Sequence, residues 1–257
     1  MEIITNKTEA LKAVKQNGNA LYFASDELKA DKDIVLEAVK QDGDSLQYAS
    51  EELKQDKEVV LEAVKQYGES LFYASEDLKN DKEIVLEAVK KNGLSLKYTS
   101  QELKNDKEVV LEAVKQNGMS LNYVSEYLKS DKEIVLEAVK RSGYALQYAS
   151  KKLRNDKEVV LRAIKQNGDA LYYANKELKN DKKIVLEAIK QNGTLLEYAS
   201  EELKQDKEIL YILKDFLVVN KNSFEKEYEL LIKYEREDEL IKNMDGKEKS
   251  TKIRKKV

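Results

Sequence analysis

Apolar positions along this chain fall into two alternating blocks that recur every 25 residues. In residues 81–105 the first block, Ile84-Val85-Leu86 followed by Ala88 and Val89, has helical spacing and lies between Asp81-Lys82-Glu83 and Asn92-Gly93. Asp81 can accept from the free amides of a first turn, Glu83 suits the positive end of the dipole, and a left-handed Gly93 would close the segment. Together these predict an α-helix of about three turns. The second block, Ser95 to Lys104, places Leu96, Thr99, Ser100 and Leu103 at i, i+3, i+4 and i+7. That spacing predicts a second short helix whose small central residues let a neighbour come close. Helices this short are marginal alone in water, so the unit needs its neighbours to bury the apolar stripe.

The same pattern runs through glycines 18, 43, 68, 93, 118, 143, 168 and 193 without insertion or deletion. We number the copies 1 to 8 by these glycines. Unbroken register implies that each copy stacks on the next in one geometry. The expected architecture is all-α: a right-handed α-solenoid of eight 25-residue helical hairpins with a C-terminal capping helix. The leucine three residues after each glycine never changes. The residue five after it is Phe23 once and tyrosine in the other seven copies, as expected for a half-buried ring with its hydroxyl at the rim. Copy 1, with Asn6 in place of the aspartate, reads as an N-terminal cap. The last first-helix runs on through Leu213, Phe216 and Leu217, which bounds the array at 1–222. A capping helix over 223–246 is expected to fold back through Phe224, Tyr228, Leu231 and Ile232. Residues 247–257, with six cations and one glutamate, are expected as a flexible basic tail.

Composition narrows the chemistry. The 257 residues contain no proline, tryptophan, cysteine or histidine, and the net charge is −3. Without histidine and cysteine the commonest metal ligands and the usual general base are missing, so a non-enzymatic protein without metal or cofactor is expected. Asp31-Lys32-Asp33 resembles a paired-carboxylate motif, yet its counterparts open a helix in every copy, and it reads as a cap. No segment is apolar enough for a leader or a membrane span, which points to a cytoplasmic protein.

The string Asp-Lys-Glu-Ile/Val-Val-Leu-Glu-Ala-Val-Lys-Gln-Asn-Gly, followed by Ser/Ala-Leu-x-Tyr-Ala-Ser-Glu-Glu-Leu-Lys, resembles the repeats grouped as domain of unknown function 4116, over roughly residues 6 to 210. The resemblance implies an all-helical tandem array and supplies no catalytic residues.

Positions that differ between copies are where a stacked array can encode a partner. The residue after each glycine is Asn19, Asp44, Glu69, Leu94, Met119, Tyr144, Asp169 and Thr194. A polar residue here suits a cap of the second helix. The apolar run Leu94, Met119 and Tyr144 is the candidate partner-binding row. It also fits a hydrophobic staple beside a capping Ser95 or Ser120. A second variable row, from Tyr22 to Glu197, carries only scattered aromatics. Charge is uneven as well: residues 140 to 190 hold 13 basic and 6 acidic side chains, against 19 and 28 in residues 1 to 139. Lys151, Lys152, Arg154, Arg162, Lys176 and Lys183 are the candidate anion-binding residues, equally readable as a solvated face. The expected role is a protein- or peptide-binding scaffold without membrane insertion. The alternatives are a nucleic-acid-binding array using the block 140–190 and a structural spacer.

Overall fold

The computed structural model describes residues 3–254, with side chains through Lys242. It divides into two compact units, Met1–Tyr173 and Ala174–Val257. Both are built from the 25-residue unit, and the fold is a helical-repeat solenoid with no strand among the described residues.

In the first unit seven ten-residue α-helices, from Lys7–Gln16 and Lys32–Gln41 to Lys157–Gln166, each pack on the next. The aspartate before each regular helix caps it as expected. Asp81 Oδ1, for example, accepts from the amides of Glu83 at 3.0 Å and Ile84 at 3.3 Å. Ile84, Val85, Ala88 and Val89 are fully buried, and so are their counterparts in the neighbouring copies.

The second half of the unit differs from a continuous α-helix. Gly93–Tyr98 is a 3-10 helix, Thr99 is extended at φ −78° and ψ 163°, and Leu103–Asn105 forms a further 3-10 turn. In a 3-10 helix residues three apart align on one face. Gly93 and Leu96 do so and are buried, and Thr99, just past the segment, is buried as well. The break at Thr99 lets the Ser100 amide donate to the Lys79 carbonyl of the preceding copy at 3.2 Å, while Ser100 Oγ donates to Asn80 Oδ1 at 2.5 Å. An uninterrupted α-helix would turn that amide inward. The hairpin is therefore an α-helix returned by a 3-10 segment and a turn.

The glycine also has a different reason from the expected one. No glycine described has a positive φ. A Cβ added at Gly93 would instead overlap the carbonyl oxygen of Ala113 in the next helix and approach Ser120 Oγ at 2.9 Å. Gly18, Gly43, Gly68 and Gly118 meet the corresponding alanine carbonyls in the same way. Glycine is needed because backbones touch there.

Opposite the glycines lie Ser70, Ser95 and Ser120, each fully buried with a hydroxyl that has no hydrogen-bond partner. A buried hydroxyl left unpaired costs about 1–3 kcal/mol. Copies 6 and 7 carry the equally buried Ala145 and Ala170 instead. Ser95→Ala is therefore expected to stabilise the protein by about 1 kcal/mol, read as a raised Tm. A fall in Tm would show that the hydroxyl contributes packing that a methyl group cannot replace.

At the N-terminus Ile4 takes the part of a preceding copy. Its amide donates to the Phe23 carbonyl at 2.8 Å and its carbonyl accepts from Ser25 at 2.9 Å. In the second unit the helix that follows copy 8 is split into Lys207–Ile212 and Lys214–Val219. Gly193 packs on the Phe216 ring in place of an alanine carbonyl. The long helix Glu225–Arg254 packs on both pieces, with Leu231 and Leu217 fully buried. Asp238 holds it there, accepting from Lys207 Nζ at 2.5 Å and from the Tyr211 hydroxyl at 2.7 Å. Of the tail expected at 247–257, residues 247–254 continue the helix Glu225–Arg254, and 255–257 lie outside the described residues.

Candidate recognition face

Two different rows of side chains run along the first unit. One is an ion ladder at the helix starts. Asp131 Oδ1 caps its own helix through Glu133 and Ile134, while Oδ2 receives Lys107 of the preceding copy at 2.8 Å. Lys107 also reaches Glu133 at 2.8 Å. The rung repeats for Lys7, Lys32, Lys57, Lys82 and Lys132 with the aspartate 24 residues on, and within the second unit for Lys182 with Asp206. The triplet Asp-Lys-Glu was legible as a cap. Its lysine partner becomes legible only when the 25-residue period is combined with stacking.

The ladder sets a pH dependence. At Asp106 burial acts to raise the carboxyl pKa, but the Lys82 ammonium and the Val109 and Glu108 amides outweigh it and hold the group below the ordinary aspartate value. Asp56, Asp81, Asp131 and Asp156 behave alike. Lys32, Lys57, Lys82, Lys107 and Lys132 are raised, chiefly by their hydrogen bonds to these aspartates. A depressed aspartate adds stability that is complete above its unfolded value and lost as pH falls through the folded one. A raised lysine adds stability that is present below its unfolded value and lost as pH rises through the folded one. Tm should therefore be flat from about pH 5 to about pH 9 and decline on either side. Asp106→Ala should cost about 1 kcal/mol through the lost cap. Asp106→Asn, which keeps an accepting oxygen, should cost less and lose its effect in high salt. Equal losses for the two variants would contradict the split roles of the two oxygens.

The second arrangement is a face built from the 3-10 segments, which pack on one another in successive copies. Tyr22 meets Tyr48 at 5.3 Å and Phe72 meets Tyr98 at 5.2 Å between ring centroids, which ties each copy to the next. The tyrosine five after the glycine is half-buried, as expected. Burial and the Asp44 carboxylate push the Tyr73 phenol up.

The residue after each glycine belongs to this face, but it does not cap the 3-10 segment. The cap is the residue before the glycine: Asn92 and Asn117 Oδ1 accept from the Leu94 and Met119 amides at 3.0 Å. Ser95 and Ser120 are interior, so the staple reading loses its capping serine. Two of the polar residues after the glycine reach the next copy: Asn19 donates to Asp42 at 2.6 Å, and Glu69 accepts from Asn92 at 3.0 Å. Leu94 and Met119 have no polar group to offer and are half-buried. Tyr144 is 38% exposed and donates its hydroxyl to Asp169 at 2.6 Å. The three therefore stand at one position of successive copies with unequal exposure.

The turns border the same face, since Lys79 Nζ lies 5.8 Å from the centre of the Phe72 ring. The turn of copies 1 to 3 begins with two acids: Asp26-Glu27, Glu51-Glu52 and Glu76-Asp77. In copies 4 to 6 these become Gln101-Glu102, Glu126-Tyr127 and Lys151-Lys152. Tyr127 is 78% exposed. Lys151 and Lys152 are exposed in their turn, Arg154 is half-buried three residues after Lys151, and the exposed Arg162 stands on the helix Lys157–Gln166 where other copies have glutamate. Lys176 and Lys183 are exposed in the second unit. The six cations thus occupy a turn, a helix face and a separate unit. Tyr127 and Gln101 were passed over in the sequence, although the comparison of turns between copies marks both.

Among the described residues no group of acidic side chains is placed to hold a metal ion, and no helix is long and apolar enough to cross a membrane. No curated protein and no solved structure matches the chain. The sequence profile described as a domain of unknown function (DUF4116) matches residues 6–54, 56–104, 81–129, 131–179 and 181–213. These matches tile most of the chain in the register of the observed copies, and the chain belongs to the DUF4116 family.

Proposed function

We propose that the protein is a non-enzymatic scaffold that binds a protein segment across copies 4 to 6. One observation carries this reading: the three consecutive copies with an apolar residue after the glycine fall within the run of copies, 4 to 7, whose turns lose the paired acids. The position after the glycine becomes Leu94, Met119 and Tyr144, and the acidic turns become Gln101-Glu102, Glu126-Tyr127 and Lys151-Lys152, with Lys176-Glu177 following in copy 7. Drift at solvated positions would scatter such changes. Exposed Tyr127 and Tyr144 beside half-buried Leu94 and Met119 have the amphipathic, aromatic character of contact surfaces.

Capture from a cell lysate tests the reading, using purified protein with and without nuclease beside a variant carrying Leu94→Glu, Met119→Glu and Tyr144→Glu. A nuclease-resistant protein held by the wild type and lost on the variant is expected. Nucleic acid held by both and released by salt would move the function to the cations of 140–190. Full function after deletion of copy 5 would favour a spacer.

A further inference from the structure

Each turn ends in a lysine or arginine whose stem is packed against the fold: Lys29, Lys54, Lys79, Lys104, Lys129 and Arg154 in the first unit. In three of these copies the cation pairs with a glutamate three residues earlier. Lys54 meets Glu51 at 2.8 Å, Lys79 meets Glu76 at 2.9 Å and Lys129 meets Glu126 at 2.7 Å. The lysine side chains in these pairs are 14–17% exposed and the glutamates 81–88% exposed. The carboxylate thus approaches the sheltered cation from the solvent side, a position that a group from another molecule can equally take.

Copies 4 and 6 keep the cation and lack the acid, because Gln101 and Lys151 stand at the glutamate position. Among the described residues Lys104 has no ion pair, and burial alone pushes its pKa down. Arg154 Nε is buried without a hydrogen-bond partner. Burying a charged donor without an acceptor is costly, and a carboxylate brought to it forms a strong charge-assisted bond.

We infer that copies 4 to 6 bind an acidic protein segment, whose carboxylates pair with Lys104 and Arg154 in the place that Glu51, Glu76 and Glu126 take beside their own lysines. This rests on the scaffold reading above and names its partner's chemistry. Charge complementarity favours a segment with interspersed acids over a nucleic acid: the row between the two cations carries Glu126, and the row before them carries Glu76, so a continuous polyanion would be repelled at both. Adjacent packed elements lie ~9 Å apart, so the two cations are roughly 18 Å apart, the reach of about five to six residues of extended chain.

The probe is a fluorescein-labelled fourteen-residue peptide of alternating glutamate and serine, titrated with the full-length protein by anisotropy. The test variant, Gln101→Glu with Lys151→Glu, supplies the carboxylates found in sister copies and is expected to fold with a Tm at or above that of the wild type. A control, Gln41→Glu with Lys115→Glu, makes the same change in net charge at exposed positions of other helices. Binding should weaken about tenfold in the test variant and stay within about twofold in the control. Equal weakening in both, no binding by the wild type, or tighter binding of a fourteen-nucleotide RNA would each overturn the assignment. If the peptide fails while a lysate protein is still lost on the Leu94, Met119 and Tyr144 variant, the acidic assignment falls and the scaffold stands.

Discussion

Gly93→Ala is expected to destabilise the protein by about 3 kcal/mol, a drop in Tm of several degrees. The added methyl group would meet the carbonyl oxygen of Ala113, and that oxygen is not free to move. It accepts the Asn117 amide at 2.9 Å, the bond that closes the helix Lys107–Gln116, while Ala113 itself is fully buried. Relief therefore requires two copies to separate along their whole contact, which loses dispersion over the neighbouring Leu96 and Leu121 as well. Gly193→Ala is the comparison. Its methyl group would meet Phe216 ring atoms at 2.6 and 2.8 Å, and a ring at the edge of the fold can turn where a helix carbonyl cannot. Thermal or urea unfolding of the two variants should give the larger loss at Gly93. Equal losses would mean that the clash at Ala113 is absorbed by flexing of the stack, and that the 25-residue spacing does not depend on this backbone contact.

This contrast shows what the amino-acid pattern discloses and what it conceals. Aspartate caps and the buried Ile-Val and Ala-Val pairs were legible because both are local, set by φ/ψ at one helix start and by a 3.6-residue period. Glycine was legible as a requirement but not as a reason, since a helix end with φ above zero and a backbone contact 20 residues away ask for the same residue. The 3-10 segment was hidden for a related cause. A spacing of three between Leu96 and Thr99 satisfies an α-helix and a 3-10 helix alike. What separates them is the backbone, which turns extended at Thr99 so that the Ser100 amide reaches the Lys79 carbonyl of the preceding copy, a contact that lies outside the segment itself. The partner of each ladder lysine lies 24 residues away, so it belongs to the stack and not to the helix.

The candidate face was partly legible for the same reason. Leu94, Met119 and Tyr144 stand out when copies are compared, but their unequal exposure, with Leu94 and Met119 half-buried and Tyr144 exposed, is set by how each copy packs on the next. Arg154 reads in sequence as one of six basic residues. Its unpaired Nε becomes visible only beside Lys54, Lys79 and Lys129, whose glutamates show what is missing at residue 151.

Leu121→Ala should cost about 2–5 kcal/mol, because Leu121 is fully buried and the change leaves a cavity that its packed neighbours fill only in part. It sits in the 3-10 segment Gly118–Tyr123, which packs on the helices Lys107–Gln116 and Lys132–Arg141 and on the 3-10 segments before and after it. In a stack held by nearest-neighbour contacts such a loss is felt first where those contacts are. Amide hydrogen exchange should therefore quicken in Lys107–Gln116 and Lys132–Arg141 by about thirtyfold or more, with a smaller change in Lys32–Gln41, three copies away. Leu94→Ala is the counterpart on the recognition face. Leu94 is only half-buried, so its truncation should cost less and leave the exchange of both helices nearly unchanged. The pair separates residues that hold copies together from residues that face a partner. Uniform acceleration across the first unit in Leu121→Ala would show that residues 3–173 open as one cooperative block, and the nearest-neighbour account of this solenoid would fail.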